Sequence, residues 1–99
     1  MSRGLQRERD VCHILQESGW WALRSPASKG IVDVVALKKG ETPRFIEVKS
    51  TKQGPYEHFG PQERAALLTE ARHAGAVAEL AWWPPRGKLQ FIPSPEWPD

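Results

Sequence analysis

The fold of this chain is decided by residues 30–51, which read G-I-V-D-V-V-A-L-K-K-G-E-T-P-R-F-I-E-V-K-S-T. Two apolar runs rich in Val and Ile flank a turn at residues 39–43. Runs of this kind, interrupted by Gly and Pro, are typical of two buried strands joined as a hairpin. Each predicted strand nevertheless contains charge, because Asp33 lies in the first and Glu47 and Lys49 lie in the second. An unpaired buried charge is costly to desolvate, so something must neutralise these residues.

We expect the three charged side chains to converge on one place. Side chains alternate between the two faces of a strand, so Glu47 and Lys49 share a face, and the hairpin can bring Asp33 alongside them. Two carboxylates beside an ammonium suit a hard cation such as Mg²⁺ or Mn²⁺. The alternative is a structural salt bridge between Lys49 and one of the carboxylates. The Asp, the spacing and the apolar flanks coincide here, and together they favour the metal site.

The order of these residues resembles the PD-(D/E)xK nuclease core, with the pattern D-x13-E-V-K beginning at Asp33. Upstream, the run R-S-P-A-S-K-G at residues 24–30, R-G at residues 3–4 and E-R at residues 8–9 make the chain similar to the archaeal-type Holliday junction resolvases, the Hjc family. The likeness extends over residues 3–75. It implies an α/β fold with a restriction-endonuclease-like core, in which a mixed central β-sheet is flanked by helices.

The resemblance also implies roles for single residues. A loop serine belongs to the family's active site, and either Ser25 or Ser28 takes that place, because Ala27 stands where a Gly is usual and the spacing to Asp33 is longer. The metal would be Mg²⁺, for which Mn²⁺ can substitute, and Glu8 would bind it directly or through water. The implied catalytic residues are Glu8, Ser28, Asp33, Glu47 and Lys49, and the implied metal ligands are Glu8, Asp33, Glu47 and the backbone carbonyl of Val48.

Basic residues lie on both sides of the predicted carboxylate site in the sequence. A net charge of +2 does not by itself indicate nucleic acid, so the placement of the basic residues carries the argument. Basic groups and small hydroxyls can hold phosphates without reading base sequence. As a plain loop, residues 25–30 would need no function. The predicted DNA-binding residues are Arg3, Arg9, Arg24, Ser25, Lys29 and Lys52.

The composition predicts one globular domain. With 99 residues, 39% of them hydrophobic and 26% charged, we expect a single nuclease domain over residues 1–99, in which residues 93–99 are irregular. No apolar run approaches membrane-spanning length and no signal-peptide pattern is present, so we expect no membrane association. The single Cys12 excludes a disulfide within the chain and fits a reducing compartment. We expect a cytoplasmic protein, associated with the nucleoid or, for a viral source, in the host cytoplasm.

The remaining secondary structure follows from periodicity and from the Gly and Pro residues. A first helix over residues 2–18 has an apolar stripe that includes Val11, Ile14 and Leu15. A second helix begins at Gly60-Pro61 and is closed by Gly75. Further strands are predicted at residues 20–24, 76–83 and 88–92, and the buried side of the second helix is predicted to be Ala65, Leu67, Leu68 and Ala71.

The predicted function is structure-selective, Mg-dependent cleavage of four-way DNA junctions by paired symmetric nicks. One site per chain cuts one strand, so two cuts related by a twofold axis predict a homodimer. We expect an apolar dimer contact that draws on Trp82, Trp83 or the aromatic C-terminal segment. Two alternatives stay open: another PD-(D/E)xK nuclease of the nicking, repair or restriction type, or a nuclease-fold DNA-binding module. The intact Asp33, Glu47 and Lys49 argue against the second.

Overall fold

The computed structural model describes residues 3–25 and 30–98, and of Arg3 only the backbone. The described residues form one five-stranded sheet in the order β1-β2-β3-β4-β5. The pair β3–β4 is parallel and the other three pairs are antiparallel. This mixed sheet with its helices confirms the predicted α/β fold class. The elements are α1 (Arg3–Glu17), β1 (Trp21–Arg24), β2 (Val34–Leu37), β3 (Arg44–Ser50), α2 (Pro61–Ala74), β4 (Val77–Trp83), β5 (Gln90–Pro93) and a 3-10 turn (Ser94–Glu96).

The central strand β3 connects the two halves of the sheet. It pairs with β2 through the predicted hairpin, in the register Val34↔Ile46 and Val35↔Phe45. On its other side it pairs with β4 in parallel. Parallel neighbours need a crossover connection, and α2 provides it by returning the chain to the start of β4. The resulting α1-β1-β2-β3-α2-β4 order has the predicted hairpin at its centre.

The two faces of the sheet carry separate cores. Because side chains alternate along a strand, Leu80 and Ala81 point to opposite faces of β4. The α1 face buries Val11, Cys12, Leu15, Val34, Ala36, Ile46 and Ala81. The α2 face buries Phe59, Leu67, Ala71, Ala78, Leu80 and Trp97.

Helix α1 follows its predicted pattern closely. Val11, Cys12 and Leu15 are buried, and Ile14 is half-buried. Gly19 adopts a φ of 90°, a left-handed conformation that favours glycine, directly after the helix ends. Within the described part of the chain, neither helix is long and apolar enough to cross a membrane.

Helix α2 has the predicted ends but a different buried side. The Glu63 side chain accepts a hydrogen bond from the Gly60 N–H at 2.9 Å, and Gly75 ends the helix with a φ of 67°. The prediction that Ala65 is buried is wrong, because Ala65 is exposed and Arg64 takes its place beside Leu67. The guanidinium of Arg64 donates to the Phe59 carbonyl at 2.6 Å, which compensates its burial.

The C-terminal segment differs from the expectation of an irregular surface run over residues 93–99. Pro93 still belongs to β5, and Ser94–Glu96 form the 3-10 turn. The Trp97 ring packs edge-on against Phe59, with 5.0 Å between ring centroids. Its Nε1 donates to the Ile92 carbonyl at 2.9 Å. A tryptophan gains from burial when its N–H finds an acceptor, so this segment is part of the α2-face core; Asp99 lies outside the described residues.

Candidate active site

Asp33 and Glu47 are brought together where β2 begins beside β3. The Asp33 N–H donates to the Ile46 carbonyl at 2.9 Å. Its Oδ2 accepts a hydrogen bond from the Val48 N–H at 2.8 Å, so backbone contacts hold Asp33 on both sides of Glu47. The two carboxyl groups also form a side-chain hydrogen bond with each other. The hairpin thus produces the predicted convergence, with Asp33 directly before the strand instead of inside it.

Lys49 shares the strand face of Glu47, as the alternation of side chains requires. Its Nζ lies 3.8 Å from Oε2 of Glu47, at the long end of ion-pair distances. The Glu47 side chain is 8% exposed and the Lys49 side chain 25% exposed. In this position the ammonium of Lys49 can contact a ligand bound at the carboxyl pair and still remain beside Glu47.

The pKa of Glu47 is raised to about 9. Burial is the largest cause, followed by the hydrogen bond and the negative charge of Asp33; the charge of Lys49 acts in the opposite direction. At neutral pH the Asp33–Glu47 pair therefore holds a proton. A simple structural salt bridge would keep Glu47 ionised, so the ion pair with Lys49 is not what compensates this carboxyl group.

Glu8 reaches the same region from α1 and is held by the end of β1. Its Oε1 accepts a hydrogen bond from Nε of Arg24 at 3.2 Å. Burial and then the charge of Asp33 raise the pKa of Glu8, while Arg24 lowers it. Glu8 is thus close enough to Asp33 for that charge to raise its pKa, but its side chain is paired with Arg24, which is predicted to bind DNA phosphate.

The donor set fits a metal ion through its carboxyl pair. Among the described residues, no group of three or more His, Cys, Asp and Glu side chains is close enough to hold a metal. The predicted carboxylates Glu8, Asp33 and Glu47 are therefore not assembled as a three-ligand cluster. Burial, and then the neighbouring Asp33, keep a proton on Glu47, and a divalent cation can take the place of that proton. Mg²⁺ commonly uses one or two carboxylates and keeps several waters, so the pair suffices.

Four of the residues predicted to contact DNA are described by the structure: Arg9, Arg24, Ser25 and Lys52. The Ser25 N–H donates to the Asp33 carbonyl at 2.8 Å, which brings the start of the β1–β2 loop to the site. Arg9 is half-buried on α1, and Lys52 is exposed just beyond β3. The predicted residues Ser28 and Lys29 lie outside the described residues, as does the side chain of Arg3.

A basic cleft adjoins the site, and the prediction from sequence included only one of its cations. It has a volume of about 190 Å³. The register Ser50↔Trp83 sets the β4–β5 turn beside the end of β3, and no local sequence signal reports that contact. The only sequence signal for the cleft was Arg7, a basic residue that directly precedes Glu8. The cleft is lined by Arg7, Ser50, Thr51, Lys52, Trp83, Pro84, Pro85 and Arg86.

Comparisons with known proteins agree on one family. The family model for archaeal Holliday junction resolvase (Hjc) matches residues 1–96. A relative named crossover junction endodeoxyribonuclease Hjc from Archaeoglobus fulgidus is 37% identical over 97 residues, which is 93% of this chain and 69% of that protein. A relative of the same name from Sulfurisphaera tokodaii is 31% identical over 96 residues, covering 92% of this chain and 65% of the relative.

A solved structure is similar as well. The structure of Archaeoglobus fulgidus Hjc, described as a Holliday junction resolvase from an archaeal hyperthermophile, matches with a TM-score of 0.79. The sequences are 34% identical, and the match covers 95% of this chain and 75% of that chain. The likeness therefore includes nearly the whole of this chain, while the relatives extend beyond it.

Proposed function

We propose a function from one premise: this chain belongs to the archaeal Holliday junction resolvase family. Its relatives are named as crossover junction endodeoxyribonucleases. We therefore assign the chain as an endonuclease that acts on branched DNA and resolves four-way junctions by paired symmetric nicks. Residues 1–99 are proposed to act as one nuclease domain.

The observation that carries this proposal is the convergence of Asp33 and the buried Glu47 beside Lys49. Hydrolysis of a phosphodiester needs positive charge near the phosphate and a water molecule aimed at phosphorus. A buried carboxyl pair offers oxygen ligands to a cation, and the ammonium lies 3.8 Å from one of them. This combination supports catalysis rather than DNA binding alone.

Resolvases of this type are generally divalent-metal dependent. We assign Mg²⁺, with Mn²⁺ as a substitute, to Asp33, Glu47 and the backbone carbonyl of Val48. When bound, the ion would neutralise phosphate charge and lower the pKa of a water molecule. Glu8 is assigned a role through water, because Arg24 engages its Oε1.

The remaining steps are assigned to side chains of this chain. The Val48 N–H holds Asp33 in place through a 2.8 Å hydrogen bond, so that carboxylate needs no rearrangement when substrate arrives. Lys49 would stabilise the charge that grows on the phosphate oxygens. Ser25 or Ser28 would orient the phosphate or the attacking water at the edge of the site.

Contacts to the DNA backbone are assigned to the basic residues around the site. Among the described residues, we assign these contacts to Arg9, Arg24 and Lys52. We propose that Arg3 and Lys29 add further contacts to the DNA backbone. Such contacts are independent of base sequence and weaken steeply as salt rises, because binding releases counterions. The proposed substrate also requires access to DNA, consistent with our expectation of a cytoplasmic or nucleoid-associated protein.

A cleavage assay tests this function directly. A four-way junction and a linear duplex of equal length are incubated with the protein at about 0.1 M salt, with Mg²⁺ or with a chelator. We expect symmetric paired nicks in the junction, little cutting of the duplex, and no cutting without the ion. Equal cutting of both substrates would instead indicate a general nuclease, and binding without cutting would indicate a DNA-binding module.

We also propose that the protein acts as a homodimer, with a contact different from the predicted one. Trp97 is buried and Trp82 is half-buried, with its Nε1 bonded to Thr51. The exposed large apolar side chains lie elsewhere: Trp21 is 56% exposed and Leu23 50% exposed. We use the name β1–β2 apolar face for the side chains that pair across these strands, Trp21 with Leu37 and Leu23 with Val35.

The β1–β2 apolar face is proposed as the surface on which a second copy packs. Contiguous exposed apolar side chains usually mark such contacts. Sedimentation at micromolar concentration should give twice the chain mass of 11.2 kDa, and Leu37→Glu should give the monomer. Val77→Glu changes a side chain that is 46% exposed outside this face, and it should leave the dimer intact. Dissociation by Val77→Glu alone would instead place the contact at the start of β4.

A further inference from the structure

The basic cleft beside the active site has the lining of an anion site. Its walls come from α1, from the end of β3 and from the turn between β4 and β5. Within the described chain, no acidic side chain lines it. Cations and hydroxyls that converge without a carboxylate attract a ligand that carries negative charge on several oxygens. The cations are Arg7, Lys52 and Arg86. The hydroxyl that can donate to a ligand is that of Ser50, because the Thr51 hydroxyl donates to the Gly54 carbonyl.

The turn that carries Arg86 is constrained by its own residues. Arg86 has a φ of 58°, in the left-handed region that side chains other than Gly, Asn and Asp rarely adopt. The Gly87 N–H donates to the Pro84 carbonyl at 3.4 Å. A Cβ at Gly87 would lie 2.7 Å from Cγ of Pro84, so only glycine fits there. The backbone of Arg86 is therefore held at the cleft by a restricted turn.

The other walls are also held in place before any ligand arrives. The guanidinium carbon of Arg7 lies 4.6 Å from the centre of the Trp83 ring, so the aromatic face orients this cation. Thr51 accepts a hydrogen bond from Nε1 of Trp82 at 2.9 Å, which fixes the point where the loop with Lys52 leaves the sheet. The cleft is thus preorganised on two sides.

The cleft continues from the active site along two elements. Directly after β3, the cleft residue Thr51 lies two residues after Lys49, and side chains two apart on a strand share a face. Thr51 is hydrogen-bonded to Trp82, whose register partner on β3 is Lys49. On α1, Arg7 directly precedes Glu8. A DNA strand whose scissile phosphate lies over Lys49 can therefore carry its next phosphate along β3 towards the cleft.

We propose that this cleft binds the backbone phosphate next to the scissile phosphate on the strand being cut. The assignment rests on the proposed function and adds a substrate subsite to it. Arg7, Lys52 and Arg86 hold the phosphate, and Ser50 donates to it. By fixing two successive phosphates, the chain aligns the scissile bond with the carboxyl pair.

The test combines a protein change with a substrate change. Arg86→Asn removes the charge and retains a residue that tolerates the left-handed region, so the turn should survive. Arg72→Gln removes an exposed arginine on α2, away from the cleft, and is the matched control. Junctions carry one neutral methylphosphonate linkage at a time, at each position flanking the cut. Binding is measured with a chelator present, and cleavage is measured with Mg²⁺.

Arg86→Asn should weaken junction binding about tenfold and reduce the slope of log affinity against log salt by about one. KM should rise while kcat changes little, and Arg72→Gln should match the wild type. One neutral linkage adjacent to the cut should weaken wild-type binding by a similar factor. The same linkage should cause no further loss in Arg86→Asn, because the contact is already gone.

The proposal would be overturned if the binding losses caused by Arg86→Asn and by a neutral linkage were additive at every linkage position. It would also be overturned if the two losses were non-additive only for linkages on a strand that is not cut. If Arg86 had only a structural role, Arg86→Asn would lower thermal stability, and its effect on junction binding would not depend on a single linkage. The proposed function is tested separately, and it would be rejected if the wild type failed to cut junctions. The non-additivity between variant and linkage is measured by binding, so it does not depend on cleavage.

Discussion

Glu47→Gln tests the central electrostatic feature of this protein, the proton held by the buried Glu47 carboxyl group. The pKa of Glu47 is about 9 in the folded chain and 4.5 for an ordinary glutamate. Because the folded value is the higher one, the folded state holds the proton more tightly than the unfolded state. The associated stability is fully present below about pH 4.5 and is lost as pH rises towards 9. Gln keeps the shape and the hydrogen bond to Asp33 but cannot ionise.

The size of the effect follows from the pKa difference. One pKa unit corresponds to about 1.4 kcal/mol, so the interval between pH 5.5 and pH 8 corresponds to a loss of at most about 3 kcal/mol. For a domain of this size, such a loss shifts the melting temperature by about 10–20 °C. Glu47→Gln should therefore be more stable than the wild type at pH 8, and the difference should shrink at pH 5.5.

The measurement is thermal or urea unfolding across this pH range, with a chelator present and at one protein concentration. Titrating groups distant from Glu47 affect wild type and variant alike, so the difference between the two curves reports on Glu47 and the charged groups in contact with it. Glu70→Gln makes the same chemical change at an exposed position of α2 and should follow the wild-type curve. Parallel curves for wild type and Glu47→Gln would refute the reasoning, because the carboxyl group would then be ionised throughout.

Three further outcomes are expected. Asp33→Asn and Lys49→Met should each lower junction cleavage by at least about two orders of magnitude, with binding retained, in a single-turnover assay; activity near the wild-type rate would remove that residue from the site. Glu79→Ala should lower the free energy of unfolding by about 2 kcal/mol, because it leaves the half-buried Arg44, bonded to Glu79 at 2.7 Å, without its carboxylate partner. Trp97→Ala should cost about 3–5 kcal/mol in urea unfolding, whereas a surface position for the C-terminal segment predicts almost no change.

The hairpin shows how much of this protein could be predicted from sequence. The apolar runs around residues 39–43 predicted two strands, and the alternation of side chains put Glu47 and Lys49 on one face. Both properties depend on backbone geometry over a few residues, so they hold in any packing arrangement. The ends of α2 followed for the same reason, since Gly60 and Gly75 act locally on the helix termini.

The partners of charged side chains could not be predicted in this way. Glu8 is paired with Arg24, from which it is separated by 16 residues, and the sequence did not predict this contact. The choice between Arg64 and Ala65 on the buried side of α2 depended on an acceptor in the preceding loop, the Phe59 carbonyl. In both cases the deciding contact comes from another segment of the chain.

The order of the elements, the positions of Asp33, Glu47 and Lys49, and the family resemblance that the comparisons confirm could all be predicted from the amino-acid sequence. The raised pKa of Glu47, the burial of Trp97 and the basic cleft between Arg7 and Arg86 depend on the packing of the folded chain. The physical reason is the range of the forces involved. Strand alternation and helix capping act between near neighbours in sequence, whereas desolvation and the meeting of charges depend on how distant segments pack.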